Sequence, residues 1–338
     1  MREILLNMTN FCAEKVWLAP MSGATDAAFR RQVVRFGGPA VVSEMVAGEA
    51  LRISRRDVVR RICRHEGKGR WIVQLAARRP EDMFESAKML RELGVDMIDI
   101  NMGCPARQVT GGRSGSALMR EPALAELIMA AAKQGAQDVP VSLKMRLGWD
   151  DQSLNAPALA QVAQSLGLVM ITVHGRTRCQ FYKGQANWSA IADTVNAVDL
   201  PVICNGDIHN GDDARAALAA SGAHGVMIGR AAMGQPWLIA EIAASLAGCD
   251  YNPPSLAEQY DSLCEQIEDS MALYGQSLGL KIVRKHISSA IERLSVDMAE
   301  AERRRARSEL CQINDPETLF EELKALYFNV LPVPELAA

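Results

Sequence analysis

Between residues 16 and 230 one pattern repeats eight times: a short apolar run, a polar or glycine-bearing turn, then an amphipathic stretch. The runs are VWLAPM (16–21), AVVSEM (40–45), RWIVQLA (70–76), DMIDINM (96–102), VSLKMRLG (141–148), VMITVHG (169–175), PVICNGD (201–207) and GVMIGR (225–230). They are too short to be helices and nearly continuous in hydrophobicity, as strands buried on both faces are. The stretches between them, such as PEDMFESAKMLRELG (80–94) and GDDARAALAASGA (211–223), have helical spacing. Eight strands alternating with helices predict a parallel (β/α)8 barrel, the TIM barrel. A doubly wound open sheet is the main alternative. The count of eight and the lack of GxGxxG after the first strand weigh against it.

The pattern stops near residue 245. AGCDYNPPS (247–255) reads as a linker, with adjacent prolines that end the preceding helix. Beyond it, LAEQYDSLCEQIEDSMALYG (256–275) and LKIVRKHISSAIERL (280–294) carry apolar residues at three- and four-residue spacing, without a convincing strand. The expected organisation is a barrel domain over 1–245 and a small all-helical C-terminal domain over 246–338.

Composition narrows the function classes. No apolar run reaches the roughly 18 residues of a membrane span, and the N-terminal segment lacks the form of a secretory signal. The eight cysteines are scattered with no CxxC pair. That favours a reducing, cytoplasmic setting and no zinc or other metal site. A net charge of −3 argues against a general nucleic-acid binder, but the charge is uneven. Residues 51–70 carry a net of +6 and residues 281–307 a net of +4, leaving −13 for the rest. Two basic segments on an acidic body are either solvated helix faces or surfaces for a polyanion.

In such a barrel the carboxyl ends of the strands carry the site. Those ends present Ala19-Pro20-Met21, Gln74, Asn101, Lys144 and Arg146, His174 and Arg176, Asn205-Gly206-Asp207, and Gly229-Arg230. Side chains alternate along a strand, so Ser142, Lys144 and Arg146 share the face pointing into the barrel, as do Thr172 and His174. Lys144 could simply pair with inward-facing Asp99, and a lone histidine is usually a core residue. A ring of Gln, Asn, Lys, Arg and His is nevertheless too polar for a packed barrel layer. Glycines at the last two strand ends, with Arg230, suit a phosphate. A lysine across the mouth suits a planar ring that becomes anionic. Together they are consistent with flavin mononucleotide (FMN).

The segment NMGCPARQVTGGRSGSALM (101–119), with LAPMSGATD, SLKMRLGWD, VHGRT, CNGDI and VMIGRAAMGQPW, resembles the bacterial tRNA-dihydrouridine synthases, most of all their B-type branch. The resemblance runs from Leu18 to Trp237 and, more weakly, through Val283-Arg284-Lys285-His286. It implies an FMN-bearing barrel followed by a helical domain that binds tRNA, with NADPH reducing the flavin. Hydride from reduced FMN then goes to C6 of a tRNA uridine, and the cysteine of N-x-G-C-P, here Cys104, gives a proton to C5. By the same resemblance Ala19, Pro20 and Met21 lie along the flavin, and Gln74, Lys144 and His174 hydrogen-bond the ring or the base. Asn205, Gly206, Asp207, Gly229 and Arg230 hold the ribityl chain and phosphate. Asn101, Arg146 and Arg176 meet the substrate, and Arg284, Lys285 and His286 the tRNA. A thiol is mostly protonated at neutral pH, as a general acid must be. The glycine-rich loop after Cys104 has the composition of a mobile lid. The B-type branch usually carries an aromatic pair where Ser288-Ser289 stands here, which counts against a stacking role for that helix and leaves the uridine position open. The chain is expected to be monomeric. Two other readings stay open: a flavin barrel acting on a free small molecule, such as a pyrimidine dehydrogenase or enoate reductase, and an RNA-binding protein without turnover. The basic segments disfavour the first; the intact Cys104, Lys144 and His174 disfavour the second.

Overall fold

A computed structural model of the chain describes residues 13–106, 109 and 114–328. Its strands are β1 (Val16–Leu18), β2 (Ala40–Val42), β3 (Val46–Ala47), β4 (Arg70–Ala76), β5 (Met97–Met102), β6 (Val141–Arg146), β7 (Met170–His174), β8 (Val202–Asn205) and β9 (Gly225–Ile228). All pairings are parallel, and the order β2-β1-β9-β8-β7-β6-β5-β4 is closed by pairing of β2 with β4. This is the closed (β/α)8 barrel. The second apolar run is the one that departs from its expected extent. It pairs over Ala40–Val42, leaves the sheet at Ser43–Met45, and pairs again as β3 against Leu75 and Ala76. The reason lies at Glu44, whose carboxylate accepts the N–H of Gly23 and draws the backbone toward the loop after β1.

The barrel interior has two levels. Its floor is an apolar plug that includes Trp17, Ile72, Met97, Met170, Ile203 and Met227. Above it, toward the carboxyl ends, the inward positions turn polar. The register sets Asp99 beside Ser142, Asn101 beside Lys144, and Arg146 beside His174, which is itself beside Asn205. Between sheet and helices lies the main core, an unbroken cluster that includes Val73, Ile98, Leu143, Val173 and Val226. The alternation that puts Leu143 and Met145 outward therefore puts Lys144 inward.

Helix starts follow sequence signals. Asp26 caps Ala27–Arg35 by accepting from Phe29 N at 3.0 Å, and Asn210 caps Gly211–Ser221. Proline opens Pro80–Glu92 and Pro122–Ala136. The barrel's last helix runs from Leu238 to Ala247, two residues past the expected boundary, and stops at left-handed Gly248.

The C-terminal part comprises helices Leu256–Tyr274, Gln276–Arg293, Glu300–Leu310 and Pro316–Phe328 around a separate core that includes Ile267, Leu280, Ile287, Ile291 and Leu323. Ser255 and Glu258 form a capping box at its start. It docks on the first barrel helix: Arg31 meets Asp269 at 2.6 Å, Arg35 meets Glu265 at 2.8 Å, and Ser262 donates to Gln32 at 2.9 Å. No helix among the described residues is long and apolar enough to cross a membrane.

Candidate active site

A cavity of about 540 Å³ opens at the carboxyl ends of the strands. It is lined by Ala19, Pro20 and Met21 after β1, Gln74 on β4, Asn101 and Cys104 on and after β5, Lys144 and Arg146 on β6, and His174 on β7. Asn205, Gly206, Asp207, Gly229 and Arg230 complete the opposite wall, and Lys285 reaches in from the helical domain. Arg176, Arg284 and His286 do not line the cavity.

Lys144 sits over the apolar floor, nine-tenths buried, and donates to Asn205 Oδ1 at 2.8 Å. Asn205 in turn donates to Met227 O at 2.7 Å. Burial lowers the Lys144 ammonium to about 8, with Asp99 opposing and Arg146 reinforcing that shift. Lys144 and Asp99 are thus electrostatic neighbours, but the hydrogen bonds of Asp99 go to Ser142 and Gln74, both at 2.6 Å. Burial pushes the Asp99 carboxyl up, against those two donors and Lys144. His174 is held well below its usual range by burial and by Lys144, Arg146, Arg176 and Arg230, so the imidazole is neutral. The Arg176 guanidinium, which only donates, lies 3.4 Å from His174 Nε2. That leaves the ring proton on Nδ1.

Arg146 is 2% exposed and ties three loop carbonyls together. It donates to Gly103 O at 2.8 Å, to Thr177 O at 2.9 Å and to Phe181 O at 2.9 Å. Burial lowers its guanidinium to about 10, still charged at neutral pH. Its far face meets the ring of Tyr182, 5.6 Å from guanidinium carbon to centroid, and Arg230 covers the same ring at 5.2 Å. Tyr182, 55% exposed, is thus an aromatic between two cations at the mouth.

Arg176 has a different place from the one expected. Its guanidinium is buried and bound to both oxygens of Asp207 and to the carbonyls of Lys183 and Gly184. Burial raises the Asp207 carboxyl, but Arg176, the Ala186 N–H and Arg230 outweigh it and hold the group ionised. Arg176 therefore shapes the wall behind Asp207. Gly206 is needed here: φ is +120°, and a Cβ would stand 2.7 Å from His174 Cδ2.

Cys104 follows β5 on a tight turn. Asn101 Oδ1 accepts from Gly103 N at 3.2 Å and from Cys104 N at 3.0 Å, and Ser116 Oγ donates to Cys104 O at 2.8 Å. The glycine-rich segment expected to act as a lid, residues 107–113, lies outside the described residues apart from Val109. The loop after β1 is set by a buried polar cluster below it. Glu44 takes the Gly23 N–H, Arg30 donates to Thr25 O at 2.6 Å, and Tyr274 of the helical domain bonds Asp26.

From the helical domain only one of the three expected residues faces the cavity. Lys285 Nζ lies over Gly23. His286 is 2% exposed, bonded to Ala24 O at 3.0 Å and packed on Phe29 at 4.5 Å, so it is a docking residue between the domains. Arg284 donates to Asn314. Ser288 accepts from Arg307, and the backbone of Ser289 is pressed against Gly234. Six of the sixteen cations of the two basic segments pair with a carboxylate. Arg52 meets Asp82, Arg55 and Arg61 meet Asp57, Arg304 meets Glu300, Arg305 meets Glu309 and Arg307 meets Glu292. At the cavity, Arg230 has no carboxylate within ion-pair distance among the described residues.

The cavity suits a group with a flat ring and a phosphate. Ala19-Pro20-Met21 offers an apolar wall opposite the polar row, Lys144 has a single hydrogen bond to protein, and the space over Gly229 is open to 3.7 Å. No group of three or more His, Cys, Asp or Glu among the described residues is arranged to hold a metal ion. Sequence reasoning missed Tyr182 and Phe181, whose only signal was two adjacent aromatics in a loop between two strand ends.

The family model for dihydrouridine synthase (Dus) matches residues 17–329. A probable tRNA-dihydrouridine synthase of Rickettsia conorii is 45% identical over 327 residues, covering 96% of each chain. One from Rhodobacter capsulatus is 48% identical over 303 residues, covering 89% of this chain and 91% of its own. The tRNA-dihydrouridine synthase B of Xanthomonas axonopodis pv. citri is 44% identical over 277 residues, covering 81% and 83%.

Proposed function

The chain belongs to the dihydrouridine synthase family, and from that premise we propose that it reduces the C5=C6 bond of uridines in tRNA, using FMN and NADPH as electron donor. The observation that carries this reading is the placement of Cys104 at the mouth of a cavity whose floor is apolar and whose walls are cationic. When bound, reduced FMN supplies a hydride to C6. The chain's own residues do the rest. Ala19, Pro20 and Met21 give the ring a flat apolar face, and Gln74, Lys144 and His174 present polar groups to its edge or to the base. Asn205, Gly206, Asp207, Gly229 and Arg230 accommodate the ribityl chain and phosphate. Lys144, mostly protonated at pH 7, stabilises negative charge that develops in the ring.

The Cys104 thiol holds the proton for C5. Arg146 donates to the Gly103 carbonyl at 2.8 Å and so fixes the turn that carries the thiol. Neutral His174 cannot compete as an acid at neutral pH. A uridine inside folded RNA reaches this depth only after leaving its stack. Tyr182 and Lys285, at the mouth, are placed to meet the extruded nucleotide and its phosphates. Lys285 belongs to the basic segment 281–307, so that segment reaches the polyanion at the cavity rim.

Cys104→Ala tests the assignment. It should keep the flavin and its reduction by NADPH, and lose about 10²–10⁴ in single-turnover dihydrouridine formation. Mass mapping of tRNA from a strain lacking the gene, with and without restoration, gives the product. Near-wild-type turnover by the alanine variant would remove the proton-donor role.

A further inference from the structure

The Cys104 turn is held by a line of hydrogen bonds that all point one way. The N–H groups of Gly103 and Cys104 donate to Asn101 Oδ1 at 3.2 and 3.0 Å. Asn101 Nδ2 donates to Gln74 Oε1 at 2.7 Å, Gln74 Nε2 donates to Asp99 Oδ2 at 2.6 Å, and Ser142 donates to the other Asp99 oxygen at 2.6 Å. Asp99, Gln74 and Ser142 are 3%, 1% and 1% exposed, so bulk water cannot substitute for any of these partners.

Direction matters because an amide has two unlike ends. A backbone N–H can only donate and a carboxylate can only accept, whereas either end of Gln or Asn fits either way round. We propose that Asp99 is a positioning residue for Cys104. Its carboxylate forces Gln74 to turn its nitrogen inward, which turns the Gln74 oxygen toward Asn101. That in turn presents the Asn101 oxygen to the Cys104 turn. If Gln74 reversed, its NH₂ would face the Asn101 NH₂, and Asn101 could relieve that contact only by turning its own NH₂ onto the Gly103 and Cys104 N–H groups. Each bond in a one-way chain also polarises the next. Asp99 touches neither the cavity surface nor Cys104 and acts only through the two amides. Lys144 does the mirror-image task across the barrel: a group that only donates orients Asn205 toward Met227 O. The role assigned to Cys104 rests on the proposed reaction, but the orientation of its turn does not.

Asp99→Leu keeps the side chain's outline and removes the acceptor. Residue-resolved hydrogen exchange on the full chain as purified should show the Gly103 and Cys104 amides exchanging at least about tenfold faster, the equivalent of roughly 1.4 kcal/mol. Ile98 N, bonded to Pro140 O at 3.0 Å at the base of the same strand, should stay protected. Asp99→Asn should behave like wild type, since its oxygen still accepts from Gln74 while Ser142 turns its hydroxyl to accept. In turnover the leucine variant should lose kcat with little change in KM for tRNA, and the asparagine variant should recover it. Wild-type exchange at Gly103 and Cys104 in Asp99→Leu overturns the proposal. Equal loosening in Asp99→Asn overturns it too, because charge and not direction would then be responsible. If Asp99→Leu fails to fold, Gln74→Leu breaks the chain one member later and must loosen the same two amides; unchanged exchange there is equally fatal. The exchange measurement needs neither flavin turnover nor RNA, so it stands or falls apart from the uridine reading.

Discussion

At Gly234 the barrel packs against the backbone of the helical domain, and Gly234→Ala should separate them. The residue has φ +73°, and a Cβ there would lie 2.3 Å from Ala290 N, 2.4 Å from Ser289 C and 2.8 Å from Ala290 Cα. Unstrained contacts between heavy atoms lie near 3.5–4.0 Å, so the helix Gln276–Arg293 must retreat by about 1 Å. A retreat of that size stretches the bond from His286 to Ala24 O, now 3.0 Å, beyond hydrogen-bonding range. His286 has no partner for its other ring nitrogen and would be left buried with none. Left-handed backbone costs a non-glycine residue about 1–2 kcal/mol, and overpacking typically adds about 1–3 kcal/mol. A combined loss of about 2–5 kcal/mol is expected. Urea unfolding followed by tryptophan fluorescence reads it, since Trp237 stacks edge-on against Phe36 at 5.7 Å beside this contact. The same variant should weaken tRNA binding, because Lys285 rides on the displaced helix. A stability loss under about 1 kcal/mol with unchanged tRNA affinity would show that the helix has room to move and that the contact does not set the docking.

Three further outcomes are expected. Arg146→Met leaves three loop carbonyls without their donor and should cost about 3–5 kcal/mol, with residues 175–187 becoming protease-sensitive; a loss below about 1 kcal/mol in urea would contradict the tie. Lys144 loses its proton through about 8, so FMN affinity measured by flavin fluorescence should weaken as pH rises from 7 to 9.5, and a flat profile would count against the lysine; as the folded value lies below the ordinary lysine value of 10.5, this group alone makes stability rise with pH between the two. Lys285→Ala should reduce the slope of log K against log salt for tRNA by roughly 0.7–0.9, whereas Arg55→Ala, whose charge is shared with Asp57, should leave it alone; the reverse order would move the RNA to the other face.

What was legible beforehand is what depends on local pattern. The apolar runs marked the strands because parallel strands are buried on both faces, and strict alternation put Lys144 and Arg146 inward. Alternation fails where the strand stops. Arg176 follows His174 by two, yet the chain has already turned, and its guanidinium closes on Asp207 from 31 residues away. Charge counting found the segments 51–70 and 281–307 but could not see that Asp82, from outside the first, would pair with Arg52. His286 looked like a recognition residue because nothing local distinguishes an exposed helix position from one that docks on Phe29. Tyr182 and the amide line from Asp99 to Cys104 arise only when separate strand ends are brought together.

Closure of the barrel also sets a schedule. β1 pairs with β9, so Val16 waits for Val226, and the helix Ala27–Arg35 waits longer still, for Glu265 and Asp269. At about 5–20 residues per second, the ribosome separates β1 from its partner by on the order of 10–40 s. For that interval Leu18, Val41 and Phe29, which are fully enclosed in the finished molecule, have only part of their neighbours. The nascent chain therefore carries an open, half-built sheet edge through most of its synthesis, and it is the last third of the protein that ends this exposure.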